Sequence, residues 1–345
     1  MKIIKEEFLP SKTITVHAAS IAFWDNNPVF AWFGGIREGL SDSSIYIYYL
    51  NKLYRLPKVY NLAYWNPVLF TYDDCLYLFF KIGEFCDRWQ TFYIKISDTS
   101  SNNFDKNIAF DKWQCLPAGL NGPVKTKPII KDNLIYCGSS VETRLDWTSY
   151  VEVYKATDDR LSFINRSRPL TVPKIQYTNS SAKLTNTMGI IQPSLFLIND
   201  RLNAFFRSSN GLNKIYYSYI DSDDEDYYRD LVDMDSPDFS DPVPTNLPNP
   251  NSGIDTLFSS DNRLFVIYNN DKTYRYPLVI SEIKDSSVFP DIEIANTCVI
   301  KQKIENDDIT YSDELSYPYM IEHKDKIHCV YTYGRSKIMY VILEK

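Results

Sequence analysis

Short apolar runs of roughly six residues, separated by polar turns, recur along the whole chain, and helical periodicity is almost absent. In DDCLYLFFKI, KDNLIYCGS, NDRLNAFFRS, DNRLFVIYN and HKDKIHCVYTY, a turn containing Asp or Asn leads into a strand-like segment. A second such segment precedes each turn: WNPVLFTY, TKPIIK, IQPSLFLI, GIDTLFSS and SYPYMIEH. The pattern predicts repeating β-hairpins.

The hairpins share a frame. Trp65-Asn66-Pro67, Thr126-Lys127-Pro128, Ile191-Gln192-Pro193 and Ser316-Tyr317-Pro318 each lead into an apolar run. His17-Ala18-Ala19 and Gly253-Ile254-Asp255 fit it with Ala or Asp in place of Pro. Six copies at a period of roughly 50–65 residues signal blades of four strands. Proline is tolerated at a strand start whose missing N–H faces a channel, so the frame marks the innermost strands. Third strands are expected at IYIYYL, TFYIKI, SYVEVYKA, KIYYSYI, YPLVISEI and SKIMYVILE. KIIKEEF at the amino terminus is expected to be the outermost strand of the last blade, closing the ring. The expectation is an all-β, six-bladed β-propeller with four antiparallel strands per blade, one domain over residues 1–345. Residues 98–112, 158–187, 221–252 and 284–312 read as polar linkers, with the acidic run 221–230 a solvated loop.

Composition supports strands. The chain has 27 Tyr and 19 Phe against only 11 Gly, and aromatic side chains suit a pleated, half-buried surface. A net charge of -7 argues against a nucleic-acid partner, which demands a basic face. No apolar run approaches the ~18 residues of a membrane helix, and no membrane partner is expected. The amino terminus lacks the apolar stretch of a secretory signal, so a cytoplasmic location is expected unless a leader was removed. The six scattered cysteines then read as reduced thiols. Neither they nor His17, His323 and His328 have metal-ligand spacing, so no metal or cofactor is expected.

The stretches FGGIREGLSDSSIYI, WNPVLF, GPVKTKPII, IQPSLF, FFRSSNG, LPNPNSGID, YRYPL and SYPYMIE…YTYGRSKI resemble the sialidase-like (BNR/Asp-box, neuraminidase-like) six-bladed propellers. The Asp-box Ser-x-Asp-x-Gly-x-Thr-Trp is eroded to Ser97-Asp98 and Thr157-Asp158. Its role is peripheral capping, and its erosion accounts for the scarcity of glycine.

The resemblance implies a site in which arginines grip a carboxylate, an Asp is acid/base, and a Tyr activated by Glu is the nucleophile. It implies that Asp42, with Arg37 and Glu38 beside it, is the acid/base, and Tyr317 the nucleophile. It implies that Arg207 and Arg275 bind the carboxylate. Two departures stand out: His17 replaces the first family arginine, and Gln192 or Ile191 stands where the Glu partner of Tyr belongs. A glutamine cannot take the phenol proton. Glu142, a base or a partner of Arg144, His17 and Asp255 are candidates to fill the gap.

Asn66, Lys81, Lys125, Lys127, Asn251, Tyr333 and Arg335 lie at strand ends near the frame and add to the candidate binding residues. Lys127 in an inner strand calls for an anionic ligand or a carboxylate partner. Tyr64 and Trp65 are candidates for a sugar-stacking platform or for core aromatics. The expected partner is an acidic sugar or glycan, sialic-acid-like or uronic, cleaved by hydrolysis. The alternatives are a uronic-acid lyase using His17 and Tyr317, and a non-catalytic glycan-binding propeller. Oligomeric state is open.

Overall fold

The computed structural model describes residues 1–97, 104–158, 160–220, 239–285, 289–305 and 311–345. Asp98 and the acidic run 221–230 lie outside the described residues. Six four-stranded antiparallel sheets make the fold a six-bladed β-propeller. Among the described residues the remaining sheet is a two-stranded ribbon, Gln176–Thr178 with Leu184–Asn186. Among the described residues no helix is long and apolar enough to cross a membrane.

The chain divides into two compact units: residues 1–127 with 300–345, and residues 128–299. The first unit holds blades one, two and six, whose inner strands are Thr15–Trp24, Ala63–Tyr72 and Leu315–His323. The second holds blades three, four and five, with inner strands Ile129–Lys131, Ile190–Ile198 and Asp255–Phe258. Lys2–Phe8 pairs with the final strand Lys337–Glu344, from Lys2 opposite Glu344 to Phe8 opposite Met339. The amino terminus therefore supplies the outer strand of blade six.

The turn residues explain how so few glycines suffice. Asp25-Asn26, Asp73-Asp74, Asp132-Asn133, Asn199-Asp200 and Lys324-Asp325 all have positive φ. Each pair joins the first two strands of a blade, where a two-residue hairpin turn demands that backbone. Asn and Asp tolerate it best after glycine.

The repeated frame has a physical meaning too. Register shifts fall between His17 and Ser20, Trp65 and Val68, Ile191 and Ser194, and Ser316 and Tyr319. Ala18, Asn66, Gln192 and Tyr317 sit within these shifts at φ 52, 37, 56 and 52. Four inner strands thus carry a β-bulge at one position, a device that re-aims a side chain. In blade three the paired strand begins just after the frame, at Ile129, and in blade five on its last residue, Asp255.

The fourth strands differ from the sequence expectation. Leu161–Arg166, Val243–Pro248 and Glu293–Lys301 lie inside stretches that read as polar linkers. An outermost strand has one hydrogen-bonded neighbour and largely solvated faces, so it needs no alternation of apolar residues. Glu293–Lys301 is exposed at five of its nine positions.

Candidate functional site

In the first unit the candidates gather around Tyr317, which is 8% exposed. The His17 ring lies 4.2 Å from the Tyr317 ring, centroid to centroid, tilted by 50°. Phe33 meets the other side of His17 edge-on at 5.7 Å. His17 Nδ1 is 3.1 Å from Thr332 Oγ1, which also accepts the Ala18 N–H at 3.2 Å. This hydroxyl fixes both the imidazole and the bulge beside it.

Arg335 sits at the turn after Lys326–Tyr333, with φ 56. Its Nε donates to Glu314 Oε1 at 2.7 Å, and its Nη1 pairs with Glu38. Burial works to lower the Arg335 pKa, but Glu38 and Glu314, with a contribution from Tyr317, outweigh it and hold the pKa above its ordinary value. Ser316, next to Tyr317, donates from Oγ to Glu314 Oε1 at 2.7 Å.

Asp42 closes the loop that carries Glu38. Its Oδ2 accepts the Ile36 N–H at 2.6 Å, and an added Cβ on Gly35 would come within 2.8 Å of that oxygen. Its Oδ1 is buried and makes no hydrogen bond. Arg37, in the same loop, is exposed. Gly39 lies against Trp65, and Trp65 Nε1 donates to Gly83 O at 2.9 Å. Trp65 and Tyr64 are buried at 7% and 0% exposure and pack in the hydrophobic core of this unit. Tyr333 is also buried, with its ring 5.2 Å from that of Phe8.

The lysines of this unit are held from within. Lys81 donates to Pro123 O and Lys125 to Pro318 O, both from buried positions. Lys127 Nζ lies over the Tyr319 ring, 5.4 Å from its centroid.

The second unit builds a separate polar chain. Arg207, 6% exposed, donates from Nε to Asn251 Oδ1 at 3.0 Å and from Nη1 to Gln192 Oε1 at 3.1 Å. Its guanidinium lies 5.6 Å from the Trp147 ring centroid. Gln192 Nε2 in turn donates to Glu142 Oε1 at 3.3 Å. Arg275 Nη2 donates to Asn251 O at 2.7 Å, so Asn251 links the two arginines. The glutamine that replaces the expected Glu is thus a bridge between a carboxylate and a guanidinium. Asp255 is fully buried and accepts Ser194 Oγ at 2.9 Å.

Sequence reasoning missed Glu314 and Trp147. Glu314 stands two residues before the Ser316-Tyr317-Pro318 frame, but its partner Arg335 is 21 positions away, beyond any local signal. Among the described residues no group of three or more His, Cys, Asp or Glu side chains is placed to hold a metal ion. All six cysteines are free thiols.

The family model for the BNR repeat-like domain matches residues 28–329. The chain belongs to this family. No curated protein matches it by sequence. Among solved structures, this BNR repeat-like chain is similar to a Dyadobacter fermentans protein of unknown function (TM-score 0.68, 12% identity, 99% of this chain and 98% of the other). It is also similar to Trypanosoma rangeli sialidase (TM-score 0.60, 9% identity, 96% of this chain) and spans only 55% of that protein. A third is a subtype N10 neuraminidase-like protein of A/little yellow-shouldered bat/Guatemala/060/2010 (TM-score 0.54, 9% identity, 99% of each chain). The trypanosomal enzyme has also been solved with 2,3-difluorosialic acid as a covalent intermediate. At these identities the likeness shows a shared sialidase-like propeller fold.

Proposed function

We propose that the protein acts on glycans carrying an acidic sugar, sialic-acid-like or uronic, by glycoside hydrolysis. The observation that supports this most is the setting of Tyr317: the His17 ring is 4.2 Å away, and Glu314 ties the neighbouring Ser316 to Arg335. A neutral phenol approaches an anionic sugar with less repulsion than a carboxylate does, but it needs a base. In this reading His17 takes the place of the missing Glu. With Nδ1–H donating to Thr332 Oγ1, Nε2 is left with the lone pair that accepts a proton.

Tyr317 Oη attacks the anomeric carbon and His17 Nε2 takes the phenol proton. The glycosidic C–O bond breaks, and Asp42 gives its proton to the leaving oxygen. Water then attacks the anomeric carbon, Asp42 takes a water proton, and the phenolate leaves and recovers its proton from His17. The buried, unpartnered Asp42 Oδ1 suits contact with the glycosidic oxygen.

In the second unit, the Asn251-linked pair Arg207 and Arg275 offers planar guanidinium forks suited to a carboxylate. The test is release of free sugar acid from a panel of sialosides and uronosides by the wild-type protein and by Asp42→Ala. Turnover by the wild type and its loss in a folded Asp42→Ala protein support the proposal. Equal turnover by both overturns the role of Asp42.

The same His17–Tyr317 pair favours one further reading, elimination from a uronic-acid glycan with His17 as base and Tyr317 as acid. Its product is unsaturated and absorbs in the near ultraviolet, whereas a hydrolysis product does not.

A further inference from the structure

We infer that the cleft between blades six and one is a second binding site, for an uncharged saccharide. It lies wholly in the first unit and has a volume of about 360 Å³, within the range of small-molecule sites. It shares no residue with the setting of Tyr317 and does not depend on hydrolysis there.

Blades that radiate from an axis diverge, so the gaps between them widen outward and close packing requires that they be filled. At the junction of blades one and two the chain supplies the filling itself. Phe104, 1% exposed, enters from the short helix Phe104–Asn107 and packs against Tyr49 and Tyr54, with ring centroids 5.2 and 4.7 Å away. Phe289, from the loop ahead of Glu293–Lys301 in blade five, packs likewise on Phe205 and Tyr217 of blade four, at 5.6 and 4.7 Å. Between blades six and one the gap stays open: among the described residues no side chain occupies it.

The walls suit a sugar ring. Phe30 and Tyr48 pair across the second and third strands of blade one, and Tyr340 of blade six meets Phe30 edge-on at 4.9 Å. Aromatic walls take up the C–H face of a pyranose, whose hydroxyls then need donors and acceptors at the edge. Two amides of the cleft supply them. Asn27 Nδ2 donates to Asp25 O at 2.8 Å, which leaves Oδ1 as an acceptor. Asn51 Oδ1 accepts the Tyr48 hydroxyl at 3.1 Å, which leaves Nδ2 as a donor. Charge decides the class of sugar. Among the described residues Lys5 and Glu7 are the only charged side chains lining the cleft, and they pair with each other at 2.7 Å. The cleft therefore offers no net charge to hold an ion, and a neutral hexose or N-acetylhexosamine fits it better than a sugar acid.

The experiment is titration of the full chain with galactose, N-acetylglucosamine and glucuronic acid, read by calorimetry and saturation-transfer NMR, for wild type, Tyr48→Ala, Asn51→Gly and Tyr317→Phe. The inference predicts that a neutral sugar binds the wild type and that its affinity falls about tenfold in Tyr48→Ala and about threefold or more in Asn51→Gly. Glycine keeps the turn at Asn51, whose φ is 60, so this variant carries the test if Tyr48→Ala does not fold. Tyr317→Phe is predicted to bind the same sugar as the wild type does. An equal loss in Tyr317→Phe puts the sugar at Tyr317 instead and overturns the inference. Unchanged affinity in folded Tyr48→Ala and Asn51→Gly overturns it too, as does failure of both neutral sugars to bind. Glucuronic acid binding more tightly than either, and losing affinity in Tyr48→Ala, overturns the assignment to an uncharged ligand. Aromatic walls also suit a proline-rich peptide, and decaproline binding through Tyr48 with no sugar bound would overturn the saccharide assignment.

Discussion

The rings of His17 and Tyr317 lie 4.2 Å apart although 300 positions separate them in sequence. Blade one contributes the imidazole and blade six the phenol, each at a bulge in its inner strand. If His17 takes the phenol proton, His17→Gln lowers kcat about 10²–10⁴-fold and leaves KM nearly unchanged. Steady-state kinetics on a confirmed substrate checks this, with circular dichroism to verify the fold. A fall in affinity alone would make His17 a binding group.

Arg335 stands against two carboxylates, Glu38 and Glu314, and the side chain is 20% exposed. Arg335→Met leaves both without their cation and is expected to cost about 2–4 kcal/mol, somewhat less than a fully buried pair. Arg335→Lys keeps the charge but loses the fork, so it recovers most stability without recovering turnover. Urea unfolding measures the first effect and kinetics the second.

His328 gives the fold a pH dependence of its own. Burial pushes its pKa down to about 4 from an ordinary 6.5, and its Nδ1 lies 2.6 Å from Tyr340 Oη. The native state therefore holds the ring neutral, while the unfolded chain binds a proton below 6.5. Stability is full above pH 6.5 and falls as pH drops from 6.5 towards 4, by at most about 3 kcal/mol. His323, stacked on Phe23 at 3.7 Å, is shifted downward by burial and by Lys324 and adds in the same direction. Denaturant unfolding at pH 7 and pH 5 should show the loss, and His328→Gln should flatten it.

Gly138 admits the backbone of blade four. A Cβ at this position would come within 2.1 Å of Pro193 O, the residue after Gln192. Gly138→Ala should cost about 1–3 kcal/mol through forced displacement. Because Gln192 holds Arg207, the same change should weaken binding of an acidic sugar, which titration of the variant would reveal.

Gln192→Glu restores the family's carboxylate but sets it against Glu142, whose Oε1 is 3.3 Å from the present amide nitrogen. Two carboxylates so close do not both ionise, so one titrates well above its usual range. The expected result is a new pH dependence of ligand affinity above pH 5, absent from the wild type.

Most of the fold was legible because inner strands obey a repeating constraint. The frame, the Asp/Asn turns and the closing strand Lys2–Phe8 all follow from it. The outer strands were hidden because solvated edges such as Glu293–Lys301 impose no pattern. The site was legible only residue by residue. His17, Tyr317 and Arg335 could be named, but their grouping depends on bulges and on partners hundreds of positions apart. Glu314 gave no signal because its role comes entirely from where Arg335 folds. Tyr64 and Trp65 looked the same from sequence whether core or platform, and the structure packs both in the core.

The most direct test of the central claim is product analysis after incubation with paired sialoside and uronoside substrates, comparing wild type with Tyr317→Phe. The account predicts free sugar acid from at least one substrate with wild type, and a loss of at least about 10²-fold in the folded Tyr317→Phe protein. Glycan binding by a wild-type protein that releases no product, or full turnover by Tyr317→Phe, would contradict it.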